Sequence, residues 1–447
     1  MAKGVYDFIK NMGTYPFHMP GHKRNSAFEK LWALGAWADI TEIEGADDLH
    51  NPKGILRSLA EAAEKRWGAD KSYVLANGST CGNLAAMGVL GKRGDTVLVA
   101  RNCHRSVYHG LELFGYRPVF VMPDYVKSLG VYGSLNPKTV EAAIKANPHA
   151  SFLVMTSPTY EGVISDIKAI SDLCRDAGVA LLVDEAHGAH LDLSPYFTGG
   201  AVKAGADAVV QSLHKTLPAL TPAALLHLCG DRVDRQRLAH YLRIFQSSSP
   251  SYPLMASVDL CVELLQDLSL FENWFGNIKR FKEKAKSLAS VKLFPVEDPS
   301  KLVITGKDGL ALAEFLRNRG IETECATKSF VLAMTGAGDS EEGFNALYAA
   351  LAEADDVLPN YNCSHKQPQY CNGAMETTIE EALNAQSEML KQKDCAGRIA
   401  AEYVWAYPPG IPMLIPGQRI TETFANANLN GCISDKGALP FVGVVKK

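Results

Sequence analysis

Four polar clusters, each directly behind an apolar run, are where this chain could do chemistry. Thr96 to Ala100 is followed by Arg101-Asn-Cys-His104-Arg-Ser106, and Ser151 to Met155 by Thr156-Ser-Pro-Thr-Tyr160-Glu-Gly162. Val179 to Val183 is followed by Asp184-Glu-Ala186-His187-Gly-Ala-His190, and Ala206 to Val210 by Gln211-Ser212-Leu-His214-Lys215-Thr216. Any one of these is ordinary loop polarity; four in succession point to a site. Lys215 sits in a segment with little charge. It is either a surface lysine or an amine whose pKa is lowered by desolvation until it can form an imine. Asp184 ends a very apolar run, so it is expected to be buried, and a buried carboxylate needs a partner. The partner is either a Lys or Arg or the protonated ring nitrogen of an electron-sink cofactor. Asn77-Gly78-Ser79-Thr80-Cys-Gly82 precedes a helix-like run from Asn83 to Leu90. Such a turn presents N–H groups and a positive dipole end to an anion, with two hydroxyls beside them; the plainer reading is a helix cap.

The elements that would position these clusters alternate. Ile55 to Trp67, Val140 to Ala146 and Ile167 to Ala177 have helical apolar spacing; Pro118 to Met122 adds another short apolar run, and Ala206 to Val210 closes the series. Strands alternating with helices argue for an α/β fold with a mostly parallel sheet, and ligands bind outside the carboxyl ends of such strands. Leu254 to Phe275 reads as one long helix. Beyond it, strands Lys301 to Thr305 and Phe330 to Met334 alternate with helices Leu310 to Arg319 and Ser340 to Ala352, as in a smaller α+β domain. Val357 to Gly373 reads as an exposed connector and Glu376 to Ala401 as helix. Tyr407-Pro-Pro-Gly-Ile-Pro412 cannot be helical. The expected division is an N-terminal segment over 1–50, a large domain over 51–290 and a small domain over 291–447.

Composition narrows the class. At 447 residues, with 47% apolar and 21% charged residues, the chain reads as a globular protein of two or three domains. A formal charge of -4 without long runs of one sign suggests neither nucleic acid nor an anionic membrane as partner. No apolar run approaches the roughly 18 residues of a membrane helix, and Met1 to Asn11 lacks a signal-peptide core. The ten scattered cysteines read as reduced thiols of a cytoplasmic protein. Cys363, His365 and Cys371 lack the fourth ligand and the spacing of a zinc site, so no metal is expected.

Taken together, Pro16-Phe-His-Met-Pro-Gly-His-Lys23, Asn77-Gly-Ser-Thr80, Ser157-Pro-Thr-Tyr160, Asp184-Glu-Ala-His187-Gly-Ala-His190, Ser212-Leu-His-Lys215, Ser248-Ser-Pro-Ser-Tyr252 and Tyr407-Pro-Pro-Gly-Ile-Pro412 closely resemble the bacterial ornithine/lysine/arginine decarboxylases. The resemblance runs from about residue 14 to about 425, in the right order. It is to the short members without an N-terminal wing domain. It implies a fold type I, aspartate aminotransferase-like architecture and pyridoxal 5'-phosphate as cofactor. Lys215 would hold the cofactor as an imine, Asp184 would pair with its ring nitrogen, and His104 would stack on one ring face with Ala186 beneath the other. Gly78, Ser79, Thr80, Ser212 and His214 would hold the phosphate or its surroundings, and His187 would lie near the ring oxygen. The active unit would be a homodimer or higher even oligomer, with Ser249 and Tyr252 serving the partner's site. His18, His22, Lys23 and the acidic stretch from Glu42 to Asp48 would line the entry.

The reaction implied is decarboxylation of arginine, lysine or ornithine to an amine and CO2, as in polyamine biosynthesis. The alternatives are another reaction of the same cofactor, such as transamination or decarboxylation of an unusual amino acid, and a weakly active regulatory protein that binds the cofactor. One departure bears on substrate. Pro416-Gly417-Gln418 stands where the family commonly has Pro-Gly-Glu, removing a carboxylate expected near the substrate and tilting the expected preference towards arginine.

Overall fold

The structure is a computed structural model and describes residues 4–361, 370–406, 410–429, 431–437 and 439–446. Seven strands form the principal sheet: β1 (Lys71–Leu75), β2 (Thr96–Ala100), β3 (Arg117–Val121), β4 (Phe152–Thr156), β5 (Ala180–Asp184), β6 (Ala208–Ser212) and β7 (Ala224–Leu228), in the order β1-β7-β6-β5-β4-β2-β3. Pairs β2·β3, β2·β4 and β5·β6 are parallel, and only β7 runs against its neighbours β1 and β6. All five residues of β6 and of β7 are buried, as expected of strands covered on both faces. The fold is the mostly parallel α/β architecture, and the series of strands does not close at Val210. Ala224-Leu-Leu-His-Leu228 adds a strand that follows β6 after only a short connection and pairs antiparallel with it.

The chain divides into two compact units: Met1–Val89, Ser157–Ser171 and Leu181–Asn362 in the first, and Leu90–Thr156, Asp172–Ala180 and Cys363–Lys447 in the second. In the first, helix Ile55–Trp67 buries Leu56, Leu59, Ala63 and Trp67 on one stripe and ends at Gly68, whose φ of 77° is the left-handed stop that glycine accepts. The stretch expected as one long helix is two, Tyr252–Leu264 and Ser269–Ala285. Between them the Asp267 carboxylate accepts the Ser269 N–H at 2.9 Å, a local bond that competes with helix continuation. A four-stranded antiparallel sheet follows: β8 (Lys292–Phe294), β9 (Lys301–Thr305), β10 (Cys325–Ala326) and β11 (Val331–Met334), in the order β8-β9-β11-β10.

In the second unit the region 376–401 is not one helix. A capping box from Thr378 to Glu381 starts helix Ile379–Asn384, and Ser387–Lys391 is then a strand paired with Phe441–Val445. Val442 and Val444 are fully buried on that partner. Burial of this distant strand overrides the local helical pattern. Residues Tyr407 to Pro409, Cys363 and His365 lie outside the described residues; Ile411–Leu414, after them, is strand. Among the described residues no helix is long and apolar enough to cross a membrane.

Candidate active site

Strand register brings the first unit's clusters to one edge. Leu75 and Ser212 both pair with Ala224, and Asp184 pairs with Val210. Because β7 is antiparallel to both β1 and β6, those two run the same way. The carboxyl ends of β1, β5 and β6 therefore lie together, where an open parallel sheet binds ligands.

The turn after β1 is shorter than expected, since the helix already begins at Gly78 and runs to Leu90. Gly78 has a φ of 77°, and a Cβ there would lie 3.3 Å from Pro222, so the position favours glycine. Ser79 and Thr80 then sit in the first turn, where N–H groups have no acceptor within the helix. At the end of β6 the Ser212 hydroxyl is buried and, among the described residues, without a partner. His214 is half-buried with Nδ1 3.0 Å from the Ala223 carbonyl, which can only accept, so Nδ1 carries the proton. Burial pushes its pKa down, leaving a neutral ring. An orphaned hydroxyl and the start of a helix are the surroundings a phosphate requires.

Asn83, one turn further along the same helix, donates from Nδ2 to Asp184 Oδ2 at 2.9 Å, and the Ala186 N–H donates to Oδ1 at 3.2 Å. Asp184 is 2% exposed. Among the described residues it makes no ion pair, and Lys215 acts on it only from beyond that range. A buried carboxylate with two neutral donors and no ion pair fits a cationic ring nitrogen.

Lys215 lies in a short 3-10 turn, Leu213–Lys215, and its Nζ is 3.0 Å from His187 Nε2. Burial, with Lys301 acting the same way, pushes the Lys215 pKa down; Asp184 and Glu324 pull it up. The buried His187 ring meets the Tyr160 ring edge-on at 5.0 Å, and the Tyr160 hydroxyl donates to Glu324 Oε1 at 2.5 Å. One residue past Lys215, Thr216 Oγ1 is 3.2 Å from His190 Nδ1. His190 Nε2 is 3.1 Å from Asp298 Oδ1, and Lys301 Nζ is 3.6 Å from Asp298 Oδ2, all with side chains fully buried. A second buried chain runs beneath Asp184. Ser72 Oγ is 2.8 Å from His227 Nδ1, His227 Nε2 is 3.2 Å from Gln211 Oε1, and Gln211 Nε2 donates to Glu185 Oε2 at 2.7 Å. The Ala201 N–H closes it on Glu185 Oε1 at 2.7 Å, and Trp67 stacks on His227 at 5.4 Å.

The other expected residues have the following surroundings. His104 belongs to the second unit, where it is exposed and caps helix Arg105–Phe114, its Nδ1 accepting the Ser106 N–H at 3.3 Å. Ser249 is exposed. Tyr252, expected to serve a partner's site, is instead fully buried in its own unit and donates its hydroxyl to the Asp47 carbonyl at 2.6 Å. The Asp47 carboxylate, expected at the entry, takes N–H groups of Lys53, Gly54 and Leu56 and so caps the helix that follows. His22 is 3.1 Å from Asp39. Gln418, expected against the substrate, is 1% exposed and turned inward within the second unit. Its Nε2 donates to the Cys371 and Gly373 carbonyls at 3.1 and 3.3 Å, and its Oε1 accepts the Ile415 N–H at 3.1 Å. Both amide hydrogens and the oxygen are engaged by backbone, so the side chain braces a loop. The sequence reading missed the roles of Asn83, Lys301 and Glu324; none carries a local signal beyond its residue type.

A helix start with a buried hydroxyl, a partly desolvated lysine and a buried aspartate outside any ion pair, all at the carboxyl ends of these strands, fit a fold type I pyridoxal-phosphate enzyme. A family model, "Orn/Lys/Arg decarboxylase, major domain", matches residues 2–308, and "Orn/Lys/Arg decarboxylase, C-terminal domain" matches 362–428. The chain belongs to the Orn/Lys/Arg decarboxylase family, whose members are pyridoxal-phosphate-dependent amino acid decarboxylases. It is 36% identical over 431 residues to uncharacterized protein YaaO of Bacillus subtilis, covering 92% of this chain and 89% of that one. It is 30% identical over 431 residues to a Bacillus subtilis arginine decarboxylase, covering 91% and 88%. In fold it resembles the Francisella novicida lysine decarboxylase LdcF, with a TM-score of 0.83 at 19% identity over 99% of this chain and 80% of that one.

Proposed function

We propose that this chain decarboxylates arginine in preference to lysine and ornithine, with Lys215 as the residue that carries the cofactor. Relatives at 30% and 31% identity over most of the chain are arginine decarboxylases, whereas lysine decarboxylases lie at 20% to 23%. The expectation built on Gln418 no longer supports this preference, because that amide is engaged by backbone.

The observation that carries the site assignment is Asp184, buried and outside any ion pair, within electrostatic reach of a partly desolvated Lys215. Pyridoxal phosphate, when bound, supplies an electron sink for the Cα–carboxylate bonding pair. Gly78, Ser79, Thr80 and Ser212 would hold its phosphate, with His214 as a neutral neighbour. Asp184, fixed by Asn83 and Ala186, would face its ring nitrogen. Burial pushes the Lys215 pKa down, towards the neutral amine that reacts as a nucleophile. His187, 3.0 Å from Lys215 Nζ, is placed to exchange a proton with it, and Lys215 is placed to return one to the substrate's Cα. His104 as the ring-stacking residue rests on the family resemblance alone.

The reading includes a cytoplasmic homodimer and the division into 1–50, 51–290 and 291–447. The dimer is supported by the N-terminal segment, where Phe17 is 92% and Leu34 85% exposed beside Tyr15 and Met19. The test incubates the protein with arginine, lysine and ornithine, identifies the amine released, and maps the peptide labelled by borohydride. Agmatine as the main product and a pyridoxyl group on Lys215 are expected. Label on another lysine would remove the site assignment, and equal or better turnover of lysine would remove the arginine preference. Light scattering that found an active monomer would remove the dimer.

A further inference from the structure

With the Gln418 amide and the Asp47 carboxylate both engaged by backbone, neither is placed to meet the charged end of a basic substrate. Leaving that cation without a counter-charge in a partly desolvated site is unfavourable. We propose that Glu324, held by Tyr160, is the receptor for the substrate's distal cation, an inference that rests on the decarboxylase reading above. Contacts lead from Lys215 to this carboxylate without a gap. Lys215 Nζ is 3.0 Å from His187 Nε2, the His187 ring is 5.0 Å from that of Tyr160 at 78°, and the Tyr160 hydroxyl donates to Glu324 at 2.5 Å. An amino acid whose α-amine takes the place of Lys215 would therefore extend its side chain along His187 and Tyr160 towards Glu324. Tyr160 adds an aromatic face that suits an ammonium or guanidinium.

Three features fit Glu324 to this role. It is exposed and, among the described residues, makes no ion pair, Lys215 and Lys301 acting on it only from a distance, whereas Glu322 two residues earlier is taken by Arg317 through bonds of 2.8 and 2.7 Å. Its backbone is fixed, the Glu324 N–H bonding the Leu332 carbonyl at 3.0 Å beside β10 and β11. Its field also reaches the reaction centre, since Glu324 and Asp184 are the carboxylates that favour the charged form of Lys215. Asp184 is already assigned to the ring nitrogen.

The test compares native protein with Glu324→Gln, Glu324→Asp and Tyr160→Phe, all loaded with pyridoxal phosphate. It measures kcat/KM for arginine, lysine, ornithine and the uncharged norleucine, with equilibrium binding of agmatine as a readout independent of turnover. Glu324→Gln should lose roughly 30-fold in kcat/KM on the basic substrates, mostly through KM, and weaken agmatine binding in parallel. Norleucine should lose far less, only what the changed field at Lys215 costs, Glu324→Asp should retain part of the preference, and Tyr160→Phe should lose less than Glu324→Gln. Basic-substrate kinetics within twofold of native would overturn the proposal, as would an equal loss on norleucine, which would mark a structural role. A native protein that turns over no basic amino acid would instead overturn the decarboxylase reading, and this proposal with it.

Discussion

Two buried carboxylates in the first unit sit in similar seclusion and opposite balance. Asp298 has Lys301 at 3.6 Å and His190 at 3.1 Å, with the Ser300 N–H at 2.9 Å. Burial opposes its charge, yet His190 and Lys301 hold its carboxyl well below the usual carboxylate range. Asp184 has an amide and a backbone N–H but no ion pair, Lys215 acting on it only from beyond that range. A buried charge with its counter-ion bonded to it within the chain belongs to the architecture. One with no ion pair of its own leaves a place for a ligand to bring the counter-charge. The same reasoning separates Gln418, whose amide is fully engaged, from Ser212, whose hydroxyl is not.

The comparison breaks first at Asp184. Asp184→Asn should lower kcat by about 10^3-fold, near 4 kcal/mol of transition-state stabilisation, while the cofactor-free protein keeps or raises its Tm because an unbalanced charge is gone. A cofactor-free Tm several degrees below native would place Asp184 with Asp298 as architecture. Asp298→Asn should do the reverse. It strands the Lys301 ammonium and should destabilise the fold by about 3 kcal/mol, most of it recovered by adding Lys301→Met. Chemical denaturation of the single and double variants decides this, and a harmless single substitution would refute it.

Asn83→Ala sharpens the contrast at smaller cost. It removes one neutral donor from Asp184, worth about 1–2 kcal/mol, and should reduce kcat about tenfold. Affinity for pyridoxal phosphate, measured by titrating the cofactor-free protein, should fall with it; unchanged values for both would show that Asn83 only packs. The smallest effect concerns Glu185, adjacent to Asp184, whose carboxyl burial pushes up to about 8 despite donors from Gln211 and Ala201. Its folded-state pKa lies above the unfolded one, so the native state binds the extra proton. Stability from this group is full below about pH 4.5 and declines as pH rises to about 8. Tm measured across that window should fall in native protein and fall less in Glu185→Gln.

Much of the scaffold was legible because its signals are local. Ile55–Trp67, Thr96–Ala100 and Lys301–Thr305 begin and end where their apolar spacing does. Strand β1 escaped notice because Lys71-Ser-Tyr-Val-Leu75 is half polar, its Ser72 hydroxyl answered by His227 on the paired strand β7, 155 positions away in sequence. Placing Asp184 and Lys215 at strand ends needed only the order of polar clusters along the chain. Which way Gln418, Tyr252 and Asp47 face was not legible, because their partners at Cys371, Asp47 and Gly54 are set by tertiary packing. The Tyr160–Glu324 bond joins residues 164 positions apart, and no spacing rule reaches that far.

The chain Ser72–His227–Gln211–Glu185 also constrains how this sequence can change over time. With Glu185 ionised, every hydrogen points towards it: Ser72 to His227, His227 to Gln211, Gln211 to the carboxylate. An amide at 185 would turn one hydrogen outward, and Gln211 would have to flip, His227 to change tautomer and Ser72 to become the acceptor. Such a reversal is open to these residue types, but not if any one of them has meanwhile become apolar. Positions 72, 185, 211 and 227 should therefore drift as a set among relatives, each substitution permitted or forbidden by the direction the other three can support.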